Sequence, residues 1–306
     1  MKNLFTLPEQ VKIVEVGPRD GFQNIKQYIA TETKLSIIET MVAAGVTSME
    51  VTSFVHPKAI PQMADAAQVA ETVASKYQNT AFKPIALVPN LTGGKKAYST
   101  GIREVSYVIS ASEKHNLENI NRTHIQSLED LSNIVKELPD LKVRLDVATS
   151  FGCPFLGRVD DGLVTNLIQE AVKLGIKTVV LCDTIGVADP LLVYNLASKV
   201  KTTFSNVEVG LHLHDTRGMA LANTLAGLEA GITIFEASVG GLGGCPFAPG
   251  AAGNAATEDL INMFHAMGIK TDIDLSKYIE ATRIVREKVQ DVLTSRMAYA
   301  CSYKHI

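Results

Sequence analysis

The chain has 306 residues, with 29 Lys and Arg against 32 Asp and Glu, a formal net charge of -3, and 46% hydrophobic and 20% charged residues. That composition supports a large core, and the near-neutral balance without a Lys/Arg block argues against nucleic acid or an anionic membrane as partner. No apolar run approaches the roughly 18 residues of a membrane span, and the N-terminal MKNLFTLPEQ has neither a signal-peptide apolar region nor transit-peptide character.

Eight short segments rich in Val, Ile and Leu recur along the chain: residues 11–17, 48–54, 83–88, 104–110, 142–150, 178–184, 208–215 and 234–241. Each has the composition of a strand buried on both faces. Helical patterns separate them. Residues 31–44 place Leu35, Ile38, Met41 and Val42 on one face, residues 160–174 do so with Leu163, Leu167, Ala171 and Leu174, and residues 219–230 with Leu221, Leu225 and Leu228. Three of these helices run into glycines, Gly45, Gly175 and Gly231, which read as helix stops before the next strand. Two further helical stretches, near residues 255–267 and 275–292, follow the last strand.

Eight strands alternating with helices predict an α/β fold, a TIM (β/α)8 barrel over about residues 8–268 with additional C-terminal helices over about 269–306, all one catalytic domain spanning 1–306. A doubly wound open sheet is the alternative. It usually carries GxGxxG after its first strand, where this chain has GPRDG. The four cysteines, Cys153, Cys182, Cys245 and Cys301, lack CxxC spacing, which points to reduced thiols in a cytoplasmic protein. The Asn-x-Thr triplets at Asn90 and Asn121 are then without meaning as glycosylation sites.

Polar residues gather at the C-terminal ends of the strand segments, the face on which such barrels build active sites. Arg19 and Asp20 follow the first, Glu50 and Ser53 lie in the second, Asp183 and Thr184 end the sixth, and His212 and His214 lie in the seventh. Residues i and i+2 of a strand share a side, so the two imidazoles face the interior together and form a candidate metal pair, the alternative being one core and one rim histidine. Asp20 adds a carboxylate and Asn254 an amide oxygen. This nitrogen and oxygen set suits Mg2+ or Mn2+, with zinc as a further option. Asp20 could instead pair with a neighbouring cation, but Arg19, adjacent in an extended segment, is expected to point away from it. After the last strand, residues 238–257 read SVGGLGGCPFAPGAAGNAAT, uncharged throughout and glycine-rich, a close-fitting loop that carries Cys245 and Asn254.

The blocks VGPRDGFQN (16–24), MEVTSFVHPKAIPQMAD (49–65), LCDTIGVADP (181–190), LHLHDTRGMALAN (211–223) and VGGLGGCPFAPGAAGNAATEDL (239–260) resemble the 3-hydroxy-3-methylglutaryl-CoA lyase family, within the metal-dependent Claisen-type lyases and synthases. The resemblance implies cleavage of 3-hydroxy-3-methylglutaryl-CoA to acetyl-CoA and acetoacetate, chemistry of leucine breakdown. It implies a metal held by Asp20, His212, His214 and Asn254, with His212 or Asp20 as the base. Arg19 would stabilise the developing oxyanion, Glu50 would support the metal-side network, Asp183 would belong to the cavity, and Cys245 would protonate the enolate carbon. Lys26 and Arg144 are candidate contacts to the acyl-CoA, the alternative for each being a solvated surface charge. A homodimer is implied, with the C-terminal helices as its contact, and Cys301 is a candidate redox thiol. Phe22, Ile25 and His56 depart from residues common in the family and bear on substrate preference. Rival readings are an isopropylmalate- or homocitrate-type synthase, a catalytically silent acyl-CoA-binding barrel, and a lyase for a longer 3-hydroxy-3-alkylglutaryl-CoA. The synthases usually carry extra C-terminal domains and lack the thiol loop.

Overall fold

A computed structural model describes residues 7–244, 253–290 and 292–300. Eight parallel strands, β1 (Lys12–Glu15), β2 (Ser48–Ser53), β3 (Lys83–Leu87), β4 (Glu104–Ser110), β5 (Lys142–Ala148), β6 (Thr178–Asp183), β7 (Glu208–Leu213) and β8 (Ile234–Ala237), pair in sequence order. β1 then pairs with β8, Lys12 opposite Ile234 through Glu15 opposite Ala237. That closure makes the (β/α)8 barrel and removes the open-sheet alternative.

The helices between strands are α1 (Thr31–Ala43), α2 (Ala66–Tyr77), α3 (Leu91–Ser99), α4 (Glu113–Ile120), α5 (His124–Glu137), α6 (Asp161–Lys173), α7 (Pro190–Thr203) and α8 (Ala220–Glu229). Gly45, Gly175 and Gly231 stop α1, α6 and α8 with φ of 106°, 93° and 79°. Asn90 and Asn121 have structural roles: the Asn90 side chain caps α3 by accepting from Gly93 N–H, and Asn121 ends α4 in the left-handed conformation.

The buried stripes are turned relative to those read from leucine spacing. α6 buries Val164, Leu167, Ile168 and Ala171 while Leu163 is 44% exposed. α1 buries Ile37, Ile38 and Met41, with Leu35 and Val42 only at the edge, and Leu221 of α8 is 40% exposed. The face that meets the strands mixes β-branched residues with some of the leucines, such as Leu167 of α6 and Leu228 of α8.

Among the described residues, three α-helices follow the barrel: α9 (Thr257–Ala266), α10 (Leu275–Lys288) and α11 (Met297–Ala300). The apolar face of α10, Tyr278, Ala281 and Val285, is buried within this chain, with Asp274 N–H bonded to the Ala44 carbonyl at the end of α1. Among the described residues no helix is long and apolar enough to cross a membrane.

Candidate active site

Arg19 and Asp20 do not stand on a strand. β1 stops at Glu15, and Gly17–Gly21 form one wide helical turn in which Gly21 N–H reaches the Val16 carbonyl, five residues back, at 3.4 Å. The turn needs glycine at 17, because a Cβ there would lie 2.5 Å from Glu15 Oε1 and 2.8 Å from Val239 Cγ1. It also corrects the expectation that the two side chains diverge, which assumed extended backbone. Arg19 Nη1 donates to Asp20 Oδ1.

Glu50, fully buried on β2, holds the other edge of the guanidinium. Arg19 Nε and Nη2 both reach its Oε2 at 2.5 Å, and Ser106 of β4 donates to its Oε1. Burial alone would weaken the Arg19 charge, but Glu50, Asp20 and Asp146 raise its pKa above the ordinary value. Arg19 is therefore a fixed cation at the barrel mouth.

The two histidines share a side, as strand geometry requires. His212 Nε2 lies 3.1 Å from His214 Nε2. His212 Nδ1 meets Glu236 Oε2, from β8, at 2.8 Å, and Arg144 Nη2 donates to the other oxygen of Glu236. Arg144 is thus 3% exposed inside the barrel, not a solvated surface charge, and its guanidinium is engaged beneath His212. Burial works against the His212 cation, but Glu236 raises its pKa through a hydrogen bond and its charge. Burial and neighbouring His212 push His214 down to about 4, so it is a neutral imidazole. Asp20 is depressed to about 2. Burial opposes this shift, and Arg19, His212, His214 and the Asn254 hydrogen bond drive it.

Asn254 enters from the far end of the glycine-rich segment. It forms a bridge beside His214 and donates through Nδ2 to Asp20 Oδ2 at 2.6 Å and to the Leu242 carbonyl at 2.9 Å. The near end arrives at the same place. Gly243 has φ of +114°, and a Cβ there would stand 2.4 Å from Asn254 Nδ2. Cys245 and Cys301 lie outside the described residues.

Asp20, His212 and His214 offer ligand atoms that all lie within 4.8 Å of one another, each buried. The donor chemistry fits a divalent cation. One carboxylate is held ionised, one imidazole is held neutral, and the Nδ1 of the other is fixed by a carboxylate that leaves Nε2 for a ligand. The ligand cluster opens into a cavity of about 540 Å³ that also touches Val55, His56, Leu87, Asp146 and Cys182. Cys182 is therefore at the cavity wall rather than in sealed core.

The remaining candidates stand apart. Asp183 is buried, but its two oxygens accept from Val187 N–H (2.9 Å) and Ala188 N–H (3.1 Å), so it shapes the loop after β6; burial raises its pKa to about 6. Lys26 is exposed on the chain between the first turn and α1. Cys153 lines a separate rim hollow with Arg158 and Arg217.

Sequence reasoning did not single out Glu236, Asp146 or Glu15. Glu236 and Asp146 were nevertheless signalled: a charged residue inside a strand buried on both faces is rare unless paired. Asp146 also lies two residues from Arg144, the same spacing that identified the histidine pair. Glu15 accepts from Gly17 N–H, Val239 N–H, the Thr257 hydroxyl and the Tyr278 hydroxyl, tying the first turn to the segment after β8 and to α10. Those partners are as far as 263 positions away, which no local pattern reveals.

A family model described as HMGL-like matches residues 10–285. The chain is 43% identical over 291 residues to a hydroxymethylglutaryl-CoA lyase of Bacillus subtilis, covering 94% of this chain and 96% of that one. It is 40% identical over 283 residues to the (R)-citramalyl-CoA lyase of Chloroflexus aurantiacus, covering 90% and 89%. The crystal structure of a Bacillus subtilis HMG-CoA lyase superposes with a TM-score of 0.93 at 41% identity, over 97% of this chain and 99% of that one.

Proposed function

The chain belongs to the HMGL-like family and is a carbon–carbon lyase, and we propose that its reaction is the divalent-metal-dependent cleavage of 3-hydroxy-3-methylglutaryl-CoA to acetyl-CoA and acetoacetate. One observation carries the reading: the buried Asp20, His212 and His214 cluster stands beside the Arg19 cation, and both open into one cavity large enough for an acyl group.

Asp20, His212 and His214 would hold Mg2+ or Mn2+, joined by Asn254 once its amide turns to present oxygen. Such an ion supplies a Lewis acid that lowers the pKa of the substrate's tertiary hydroxyl. His212 or Asp20 accepts the hydroxyl proton; His212, with Nδ1 held by Glu236 and Nε2 given to the ion, has no free nitrogen, which favours Asp20. The C2–C3 electron pair then passes to the acetyl-CoA enolate as the C3 carbonyl forms. Arg19, fixed by Glu50, faces the developing negative charge without reorganising. Cys245 donates the proton that completes acetyl-CoA, a role open to a thiol with a pKa of about 8.5. Gly244, the residue before it, lines the cavity. Lys26 is the candidate contact for the CoA portion, while Arg144 and Asp183 act through Glu236 and the loop after β6. The reading includes a cytoplasmic homodimer.

The test is direct. Purified protein with Mg2+ or Mn2+ should release acetoacetate from 3-hydroxy-3-methylglutaryl-CoA, and no product with metal present would overturn the assignment. The similarity to a citramalyl-CoA lyase supports a second reading, with (R)-citramalyl-CoA as the substrate. Comparing kcat/KM for the two acyl-CoAs decides between them.

A further inference from the structure

Among the described residues, Asp20, Glu50, Asp146 and Glu236 are buried carboxyl groups at or below the metal-ligand cluster, and three of them are fully engaged. Asp20 accepts from Arg19, Gln23 and Asn254. Glu50 accepts from Arg19 and Ser106. Glu236 is bonded to Arg144 and His212. The fourth, Asp146 on β5, differs. It is 3% exposed, its Oδ1 is buried with no hydrogen-bond partner, and Arg144 Nε approaches no closer than 3.6 Å. Its strand neighbours in register are Val108 on β4 and Val180 on β6, which offer no polar side chain. A buried oxygen without a partner is costly and uncommon.

Asp146 is also part of the wall of the cavity that contains Arg19, Asp20, His212 and His214. Its nearest polar neighbour, Arg144 Nε, is itself without a hydrogen bond, so the two do not satisfy each other, and a polar group in the cavity can complete the set. We propose that Asp146 is a specificity-determining residue whose carboxyl group hydrogen bonds an oxygen of the acyl portion of the substrate. The acyl end, not the nucleotide end, is the part that reaches the depth of the metal-ligand cluster.

The charge around Asp146 fits this role. Burial, with Glu236 on β8 and Glu50 on β2, pushes its pKa up to about 8, against Arg144 on β5 and Arg19 on the first turn. Cys182 on β6 is the remaining titratable neighbour, itself pushed up by burial. A neutral carboxyl donates a hydrogen bond and does not repel the terminal carboxylate of a 3-hydroxy-3-alkyl dicarboxylyl-CoA. The ion pair with Arg144, at 3.6 Å, is longer than a hydrogen bond and leaves capacity on the Asp146 carboxyl. An apolar residue between Val108 and Val180 would fill the space without an unmet polar atom.

The inference rests on the lyase reading of the site, and one kinetic experiment separates the two. Wild-type protein is assayed with 3-hydroxy-3-methylglutaryl-CoA and (R)-citramalyl-CoA, and cleavage of neither would remove the lyase reading and this one with it. With the wild type active, the variants decide Asp146 alone, on the better substrate. Asp146→Ala should raise KM by about tenfold, the size of one lost hydrogen bond. The inhibition constant for free CoA should stay within about twofold. Asp146→Asn, which keeps a donor of the same size, should hold KM within about threefold. An unchanged KM in Asp146→Ala, a parallel rise in the CoA inhibition constant, or an equal loss in Asp146→Asn would each overturn the assignment.

Discussion

The inside of the barrel and the shell between barrel and helices are both buried, yet they are built from opposite materials. The interior stacks Glu50, Arg144, Asp146, His212 and Glu236, with Arg19 over them at the mouth, all at 8% exposure or less. The shell is Ile37, Ile38 and Met41 of α1, Leu131 and Ile134 of α5, Val164 and Ile168 of α6, and Val193 and Leu196 of α7, against the outer faces of the strands. The shell carries stability through burial of apolar surface. The interior ionic groups recover their desolvation cost only by pairing, so their net contribution to folding is small and their contribution to chemistry is large. One scaffold therefore separates folding from function by which side of a strand a residue faces.

That separation can be tested from both sides. Arg19→Lys, which keeps the cation that Glu50 and Asp20 need but loses the fixed fork of donors, should lower kcat by roughly 100-fold while the melting temperature changes little. A large drop in melting temperature would show the interior to be a folding element. Ile168→Ala should do the reverse, costing about 2–5 kcal/mol in chemical denaturation with kcat of the folded protein preserved. Glu236→Gln lies between them. Its loss should weaken Mn2+ binding by about 10- to 100-fold, because it orients His212. It should also flatten the pH dependence. Glu236 raises the His212 pKa, so Mn2+ affinity falls as pH drops through that raised value, and in the variant, whose affinity is lower throughout, that fall begins at lower pH. Equal release curves for wild type and variant would exclude this coupling. The smallest effect belongs outside both layers. Leu191, 69% exposed at the start of α7, should tolerate serine within about 0.5 kcal/mol.

The two layers were unequally legible in the sequence. Runs such as EVSYVIS match β4 residue for residue, because a strand buried on both faces needs a continuous apolar run. Other strands end earlier than their apolar runs. β5 stops at Ala148 and not 150, β7 at Leu213 and not 215, and β8 at Ala237 and not 241. The backbone there leaves the sheet for the mouth while Thr149, Ser150, His214 and residues 238–241 stay buried. The His212 and His214 pair was legible because two residues of one strand share a face by geometry alone. The contact of Arg19 with Asp20 was misread because a one-turn helix replaced extended chain.

By itself, the order of residues determined eight apolar strands, the glycine stops between helix and strand, and the i, i+2 placement of the two imidazoles, all of which depend on neighbours in sequence. Tertiary structure alone decided that Asp20 and Asn254, 234 positions apart, would meet, that Glu236 would hold His212 over Arg144, and that Asp146 would line the cavity with no hydrogen bond to its Oδ1. Those pairings exist only once β8 closes on β1, because closing the ring is what brings the ends of distant strands within hydrogen-bond reach.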